Sequence, residues 1–255
     1  MLLAVDVGNT HTVLGLFEGE ERRADWRIPT RRDTTVDELG VLFRALLREA
    51  GLAQLNLEGM IVSSVVPGLN DILSRTGRTV FGLEPLMVEP GIKTGMPILY
   101  DNPAEVGADR IVTALAAKAR YGAPVIVLDF GTATTFDVVG PRGEYLGGAI
   151  APGLRISADA LFEKAARLSR VDLREPARVI GRNTEESVRA GLFHGYAALV
   201  EGLVRRIRDE LGTQAPVVAT GGLAPVFEKA LGFLDAVDPG LTLEGLRLLW
   251  ERNRP

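Results

Sequence analysis

Apolar and polar positions alternate along the chain in a pattern that predicts strands separated by helices. Two apolar runs, Leu2–Val5 and Val13–Phe17, flank a short polar segment and predict a strand, a tight turn and a second strand. Apolar residues recur at helical spacing over Val36–Ala50, and a continuous apolar run at Met60–Val66 predicts a buried strand. This alternation of strands and helices is typical of an α/β fold.

The pattern at the start of the chain recurs near its middle. A second apolar run, Val125–Leu128, enters a polar turn and is followed by a further apolar stretch, Phe136–Val139. Aligned on their aspartates, the two turns share three residue types at the same spacing, which are Asp6, Gly8 and Thr12 in the first and Asp129, Gly131 and Thr135 in the second. The recurrence predicts two similar α/β domains, residues 1–117 and 118–255.

Three further helices are predicted from signals at their ends. The segment Asn102–Tyr121 opens with an N-cap residue and a proline at the first helical position. A long helix is expected over Thr184–Leu211, with Asn183 and Glu186 placed as a capping box. The last predicted helix is amphipathic and spans Leu241–Arg252.

Composition narrows the classes of function. The 255 residues include no cysteine and two histidines, His11 and His194, which excludes disulfides, thiolate nucleophiles, zinc–thiolate sites and multi-histidine metal centres. A net charge of −4 gives no general electrostatic reason to bind nucleic acid. No apolar run approaches the roughly 18 residues of a membrane span, and no signal-peptide core is present. We therefore expect a cytoplasmic protein with small-molecule chemistry and no nucleic-acid or membrane partner.

The two recurring turns suit phosphate binding, although neither standard phosphate motif occurs. No two glycines are separated by a single residue, and no Walker sequence is present. Glycine permits the positive φ that lets backbone N–H groups converge on an anion, threonine hydroxyls add donors, and aspartate can hold hydrated Mg²⁺. One such turn alone is equally explained as a hairpin with a glycine, whereas recurrence favours a nucleotide held from both sides.

A second candidate site lies in Glu105–Arg110, near the start of a predicted helix. Asp109 could accept a proton from a substrate hydroxyl, and the Arg110 guanidinium could steady an anion. Gly107 leaves room for a ligand beside them. The alternative is a solvated acidic first turn with an arginine in the next turn.

Five motifs together carry a resemblance to a known family. They are Asp6–Thr10 (DVGNT), Glu105–Arg110 (EVGADR), Asp129–Thr135 (DFGTATT), Gly147–Gly153 (GGAIAPG) and Ala219–Gly222 (ATGG). In this order the chain resembles the type III pantothenate kinases, which belong to the acetate and sugar kinase, Hsp70 and actin superfamily. The resemblance implies two ribonuclease H-like, actin-like ATPase domains with a nucleotide cleft between them. It also implies ATP-dependent phosphorylation of pantothenate to 4′-phosphopantothenate, the first step of coenzyme A biosynthesis.

The resemblance further implies roles for individual residues. Its ATP-binding residues are Asp6, Val7, Gly8, Asn9, Thr10, His11, Thr12, Val13 and Thr132. Its pantothenate-binding residues are Tyr100, Gly107, Ala108, Asp109, Arg110 and Thr184, with Asp109 as the catalytic proton acceptor. Asp129 is the implied ligand of a monovalent cation, K⁺ or ammonium, and Asp6 a ligand of Mg²⁺. Members of the family are homodimers.

Other interpretations of these residues stay open on the sequence. Thr184 also marks a helix start, Tyr100 could pack on the core, and His194 in the long helix favours a structural role. His11 is expected near ATP without a catalytic role. For the whole chain, the alternatives are a kinase of another small hydroxyl or carboxylate acceptor, and a non-enzymatic, nucleotide-dependent regulatory or assembly protein.

Overall fold

A computed structural model describes residues 1–51, 57–165, 168 and 170–254, which form two compact units. The first unit comprises Met1–Ala116 and Gly240–Pro255, and the second comprises Ala117–Pro239. Each unit contains a five-stranded sheet with parallel and antiparallel neighbours. The predicted α/β fold with two similar halves is therefore confirmed.

The regular elements of the described residues are as follows. The strands are β1 (Leu2–Val7), β2 (His11–Glu18), β3 (Glu21–Pro29), β4 (Gly59–Ser64), β5 (Leu86–Met87), β6 (Val125–Phe130), β7 (Ala133–Val139), β8 (Tyr145–Pro152), β9 (Val217–Thr220) and β10 (Ala236–Val237). The helices are α1 (Val36–Glu49), α2 (Asn70–Thr76), α3 (Ala108–Tyr121), α4 (Leu154–Lys164), α5 (Thr184–Leu211), α6 (Ala224–Phe227) and α7 (Leu241–Asn253). Short 3₁₀ turns at Pro67–Leu69 and Pro103–Glu105 and a π-helical segment at Gly77–Phe81 accompany them.

The two sheets share one strand order and one set of strand directions. In the first sheet, β3, β2 and β1 form an antiparallel meander, and β4 and β5 continue from β1 as parallel strands. In the second sheet, β8, β7 and β6 form the meander, and β9 and β10 are the parallel strands. The repeat seen in the two turns therefore extends to the whole sheet.

Each sheet places its buried strands at the centre. In the first unit, the core side chains of the sheet pack with α1 and α2, and they include Leu3, Val5, Leu14, Phe43, Met60, Val62 and Leu73. In the second unit, the sheet packs with α5 and α6 around Ile126, Leu128, Phe136, Phe193, Val200, Val217 and Phe227. The central strands β1 and β6 run out of these cores into the two polar turns, so each turn rests on a rigid base.

The C-terminal helix packs on the first sheet, which is where the compact units differ from the predicted domains 1–117 and 118–255. Helix α7 contacts β1, β2 and β4. The Trp250 ring covers Gly59, where an added Cβ would lie 2.0 Å from the ring. The amphipathic pattern of α7 shows that one face is buried, but it does not show which surface covers that face. The sequence analysis therefore assigned α7 to the same domain as the residues that precede it in the chain.

The predicted helix over Asn102–Tyr121 is two elements. Asn102 accepts a hydrogen bond from the Ala104 N–H at 3.3 Å, but this cap starts a 3₁₀ turn that ends at Val106 in extended backbone. Helix α3 then begins at Ala108, with the Gly107 carbonyl accepting its first hydrogen bonds. The break places Gly107 and the residues after it at a helix start, not inside a helix.

Within the described residues, no helix is both long enough and apolar enough to cross a membrane.

Candidate active site

The first polar turn connects the central strand β1 to β2. Asp6 pairs with Val13 in β2 and with Ser63 in the parallel strand β4, and Val7 pairs with Thr12. The Gly8 N–H closes the turn by donating to the His11 carbonyl at 3.0 Å. Asp6 is half-buried, whereas the side chains of the next three residues after Gly8 are exposed at the strand end. The predicted ATP-binding segment therefore forms a compact hairpin turn with an aspartate at its base.

Thr30, which the sequence analysis missed, holds this turn from the end of β3. Its hydroxyl donates to the Gly8 carbonyl at 2.7 Å and lies 2.9 Å from the buried Thr12 hydroxyl, which is therefore the donor of that second bond. The Thr30 N–H also donates to the Thr10 carbonyl at 3.0 Å. Thr30 follows Pro29, which pairs with His11. The register of the β2–β3 hairpin therefore places Thr30 next to the first turn.

Arg32 is a second residue that sequence reasoning missed at the first turn. Its Nη2 donates to the Asn9 side-chain oxygen at 3.1 Å, and both side chains are exposed. The guanidinium therefore adds positive charge beside the turn and fixes the Asn9 amide with its oxygen toward the arginine.

A cavity of about 390 Å³ lies beside the first turn within the first unit. Val7 and Thr12 line it together with apolar side chains of α1 and α2, among them Leu39, Phe43 and Leu73. Its walls are mostly apolar, and Arg31 and Glu38 also line it.

The second turn connects β6 to β7 and is one residue shorter than the first. Gly131 N–H donates to the Ala133 carbonyl at 3.0 Å, and Asp129 pairs with Thr135 in β7 and Thr220 in β9. Phe130 pairs with Thr134, so Thr134 and not Thr135 is the structural counterpart of Thr12. The predicted equivalence of Thr12 and Thr135 is wrong because the shorter turn shifts the register by one residue.

The glycines of the two turns are not required by a positive φ, and only the first is tightly packed. Neither Gly8 nor Gly131 is among the residues with positive φ, so that part of the prediction is wrong. An added Cβ would lie 3.1 Å from the His11 carbonyl oxygen at Gly8, and 3.4 Å from that of Ala133 at Gly131. A side chain at Gly8 would therefore press on the main-chain oxygen that closes the first turn, whereas the distance at Gly131 is an ordinary van der Waals contact.

The Ala219–Gly222 motif, which ends β9, packs directly against Asp129. Gly221 has φ +90, and an added Cβ there would lie 2.3 Å from Asp129 Oδ1 and 2.6 Å from the Phe130 nitrogen. Only glycine fits at this position without displacing the carboxylate. Gly221 therefore sets how closely β9 approaches the base of the second turn.

Thr132, at the tip of the second turn, is exposed, and its backbone is held by Gly153. The Gly153 N–H donates to the Thr132 carbonyl at 3.1 Å, and an added Cβ at Gly153 would lie 2.1 Å from that oxygen. The GGAIAPG motif thus ends in a glycine that supports the turn from β8.

The candidate substrate residues Gly107, Ala108, Asp109 and Arg110 lie together at the start of α3. Asp109 Oδ1 accepts the Arg110 N–H at 2.8 Å, and an added Cβ at Gly107 would lie 2.6 Å from the same oxygen. Asp109 is half-buried, and Arg110 is 8% exposed. The burial of these two side chains contradicts the alternative of a solvated acidic first turn.

Burial raises the pKa of the Asp109 carboxyl above its ordinary value. The hydrogen bond from the Arg110 N–H and the Arg110 charge oppose this effect without cancelling it. A carboxylate whose pKa is raised toward neutrality is a stronger proton acceptor than an exposed aspartate, while it still ionises.

Thr184 opens α5 in the second unit, and Tyr100 lies half-buried in the loop before α3. The Asn183 side chain caps α5 by accepting the Glu186 N–H at 2.9 Å, as predicted. The Glu186 carboxylate accepts a hydrogen bond from the Arg182 N–H, whereas in a capping box it would accept the Asn183 N–H. The reciprocal bond is therefore displaced by one residue. This bond holds the pKa of Glu186 below its ordinary value.

An open groove of about 680 Å³ runs along the start of α5. Thr184, Asn183 and Gly191 line it together with apolar residues, among them Leu161 and Leu192. Thr184 is therefore a helix start, as one of the two interpretations has it, and it also lines this groove.

The two histidines lie in different units. His11 is exposed at the end of the first turn. His194 lies on α5 with its ring edge-on to Phe193, a core residue of the second unit, at 5.3 Å between centroids. This packing agrees with a structural role for His194.

Among the described residues, no group of three or more His, Asp or Glu side chains could hold a metal ion without help. Asp6 and Asp129 each contribute a single carboxylate at the base of a turn. Mg²⁺ in nucleotide sites commonly takes one or two carboxylates and completes its shell with phosphate oxygens and water. Asp6 therefore fits a cation that arrives with a nucleotide.

Comparison with known sequences assigns these motifs to one family. The sequence model of the type III pantothenate kinases matches residues 2–206. A type III pantothenate kinase of Anaeromyxobacter sp. is 54% identical over 254 residues, covering 100% of each chain. One from Koribacter versatilis is 51% identical over 264 residues, covering 100% of this chain and 96% of its own.

Solved structures agree on the fold. A protein described as a Baf family transcriptional activator from Campylobacter jejuni superposes with a TM-score of 0.63 at 18% identity, covering 98% of both chains. A ROK hexokinase from Thermus thermophilus gives a TM-score of 0.51 at 17% identity, covering 97% of both chains. At these identities the likeness shows the shared architecture alone.

Proposed function

The chain belongs to the type III pantothenate kinase family and phosphorylates pantothenate with ATP in coenzyme A biosynthesis, and we propose that Asp109 accepts the proton of the pantothenate hydroxyl. The assignment rests on sequence identity: about half of the residues are identical to those of curated members over the full length of the chain. For the role of Asp109, the support is its position at the start of α3, with burial raising its pKa.

The proposed reaction is a direct transfer of the γ-phosphoryl group. The primary hydroxyl oxygen of pantothenate forms a bond to the γ-phosphorus of ATP, while the bond to the oxygen bridging the β- and γ-phosphorus breaks and ADP leaves. Asp109 takes the hydroxyl proton as the new bond forms. Most of the rate enhancement then comes from positioning and charge stabilisation, as in other phosphoryl transfers.

We propose that the first turn binds the ATP phosphates. The supporting features are its backbone N–H groups, its hydroxyls and the Asp6 carboxylate at its base. The segment comprises Asp6, Val7, Gly8, Asn9, Thr10, His11, Thr12 and Val13. Mg²⁺, held by Asp6 and the phosphates, supplies charge neutralisation when bound. Thr132, exposed at the tip of the second turn, adds a further contact to the nucleotide.

The proposed pantothenate site is built around the start of α3. The Arg110 guanidinium faces the pantothenate carboxylate in this proposal, because its charge and planar donor geometry suit a carboxylate. Gly107 lets the Asp109 carboxylate lie close to the backbone, and Ala108, Tyr100 and Thr184 contribute additional contacts.

We also propose that Asp129 binds a monovalent cation, K⁺ or ammonium. The carboxylate is half-buried at the end of β6, and Gly221 packs directly against it. The single carboxylate supplies one negative charge, which is enough to balance a singly charged ion.

A homodimer is the proposed assembly, with the second unit supplying the contact. Ile180 is 82% exposed and Val179 67% exposed, and they directly precede Gly181, which lines the groove along α5. Exposed apolar side chains favour a partner surface. Gly191, Gly195 and Ala198 are exposed on one face of α5, where a second helix could approach closely.

A cytoplasmic location is proposed because ATP is the phosphoryl donor.

The reaction is tested by mass spectrometry of products from purified protein, ATP, Mg²⁺, K⁺ and pantothenate. Parallel reactions replace K⁺ by Na⁺ or omit pantothenate. A phosphopantothenate peak that requires both pantothenate and K⁺ supports the reaction and the cation together. ADP without that peak would contradict pantothenate as acceptor and favour another small hydroxyl or carboxylate compound, and no turnover would favour a regulatory protein.

A further inference from the structure

One buried tyrosine, Tyr196, bridges the two strands that leave and support the second turn. Its Oη lies 2.5 Å from Thr134 Oγ1 on β7 and 3.0 Å from the Pro152 carbonyl oxygen at the end of β8. A carbonyl can only accept, so Tyr196 donates its single hydrogen to Pro152 and accepts the Thr134 hydroxyl. Both of its partners are within two residues of the backbone that holds Thr132.

These bonds close a ring around the turn. Thr134 follows Thr132 by two residues, and Pro152 precedes Gly153, whose N–H donates to the Thr132 carbonyl at 3.1 Å. The Tyr196 hydroxyl therefore links the strand that leaves the turn to the residue that supports it from below. Without the hydroxyl, β8 still pairs with β7 at Ala133 and Thr134, but the turn loses its link to α5.

The tyrosine is itself firmly placed. Tyr196 is 6% exposed on α5, and its ring packs against Phe227 with centroids 5.6 Å apart. Burial raises its pKa above the ordinary value, so the hydroxyl stays protonated as the bridge requires. Packing of the ring therefore fixes the position of the Tyr196 hydroxyl oxygen independently of the turn.

We infer that Tyr196 is a positioning residue for nucleotide binding, which sets the geometry of the second turn through Thr134 and Pro152. The inference rests on the proposed contact between Thr132 and the nucleotide. Hydrogen bonds of fixed geometry in a supporting layer hold binding groups in their productive arrangement, and their loss loosens the site without unfolding it.

The test is Tyr196→Phe in the full-length protein, because phenylalanine keeps the ring contact with Phe227 and removes only the hydroxyl. The expected result is an increase of about fivefold to tenfold in the KM for ATP and in the Kd of Mg·ADP measured by calorimetry. We expect kcat to change less than about twofold, because the turn binds the nucleotide and Asp109 accepts the proton. Thr134→Val removes the second partner and is expected to give the same shift, with no further shift in the double variant.

Tyr145→Phe is the matched control. Tyr145 is fully buried in the same sheet and donates to Asp137 at 2.8 Å, but it lies at the other end of β8, opposite Val139. This variant is expected to lower the melting temperature and leave the KM for ATP unchanged. If Tyr196→Phe lowers the melting temperature alone, its role is structural and the inference is overturned.

Thr132→Ala separates this inference from the function on which it rests. A weaker affinity for Mg·ADP in Thr132→Ala together with normal affinity in Tyr196→Phe would overturn the positioning role and keep the turn. Normal affinity in Thr132→Ala would remove the proposed nucleotide contact, and the role of Tyr196 with it.

Discussion

Thr12 and Thr134 lie at equivalent register positions in the two sheets, each opposite the residue that follows the aspartate of the central strand. Both side chains are buried, and each hydroxyl is bonded to a residue outside its own hairpin. Thr12 bonds to Thr30 at the end of β3, whereas Thr134 bonds to Tyr196 on α5. The two turns thus share a buried threonine but use different residues to hold it.

The first prediction concerns Thr30→Val. Valine keeps the shape of threonine but removes both the donor to the Gly8 carbonyl and the partner of Thr12, which loosens the first turn. We expect the KM for ATP to rise about threefold to tenfold, measured by steady-state kinetics. Thr76→Val is the control, since this buried hydroxyl bonds only within α2, to the Ile72 carbonyl at 2.7 Å. An equal rise in KM for both variants would contradict a specific role for Thr30.

Asp109→Asn separates catalysis from binding. The amide keeps the hydrogen bond from the Arg110 N–H but cannot accept the substrate proton, so kcat should fall by about 10²- to 10⁴-fold. Calorimetric affinity for Mg·ADP should stay within about twofold of the parent protein. Asp101→Asn, an exposed carboxylate in the preceding loop, is the control and should leave kcat unchanged. Loss of nucleotide affinity in Asp109→Asn would contradict the role of proton acceptor.

The pH dependence of activity should report the raised pKa of Asp109. Because the ionised carboxylate is the active form, kcat should fall as the pH drops through a value above 3.8, the ordinary pKa of aspartate. A kcat profile across the acidic range checks this. An acid limb at or below the ordinary aspartate value, at a pH where the protein is folded, would contradict it.

Stability should depend on pH in the opposite sense at the same group. A raised pKa means that the folded state binds this proton more tightly than the unfolded state, so ionisation costs stability as the pH rises through the raised pKa. Asp109→Asn lacks this cost and should melt at the same or a higher temperature than the parent protein at neutral pH. The advantage should vanish below the ordinary pKa. A lower melting temperature at neutral pH would show that the charge stabilises the fold.

Gly221→Ala should disturb the proposed cation site. The added Cβ would lie 2.3 Å from Asp129 Oδ1, at a φ of +90 that favours glycine, so the carboxylate must move. We expect the K⁺ concentration for half-maximal activity to rise by about tenfold or more. Gly232→Ala has no neighbouring atom within 4 Å and serves as the control. An unchanged K⁺ response in a folded Gly221→Ala protein would place the cation elsewhere.

The dimer prediction uses the exposed apolar residues that directly precede Gly181. Ile180→Glu should convert a dimer into monomers in light scattering after gel filtration, because a charge replaces apolar contact area. Val41→Glu, at another exposed apolar residue on α1, should leave the assembly unchanged. A monomeric parent protein would contradict the proposed assembly.

Local pattern was sufficient for the strands of the two hairpins and for α5. A continuous apolar run marks a buried strand wherever it lies, so β1, β2, β6 and β7 could be predicted from their own residues. End signals placed α5 at Thr184–Leu211, as the structure has it. The order of motifs was enough to identify the family. Short elements such as β10, with two residues, carry too little pattern to be found.

Tertiary structure decided what supports the site. Tyr196 lies 62 residues from Thr134, and no local pattern marks a helix residue as the partner of a strand hydroxyl. The same holds for the burial of Arg110 and for the sheet that α7 covers, since both depend on which surfaces meet after folding. The sequence by itself determined which residues we propose to meet the substrates, because their chemistry is local. Their positions, register and pKa values depend on packing between distant segments, which only the folded chain supplies.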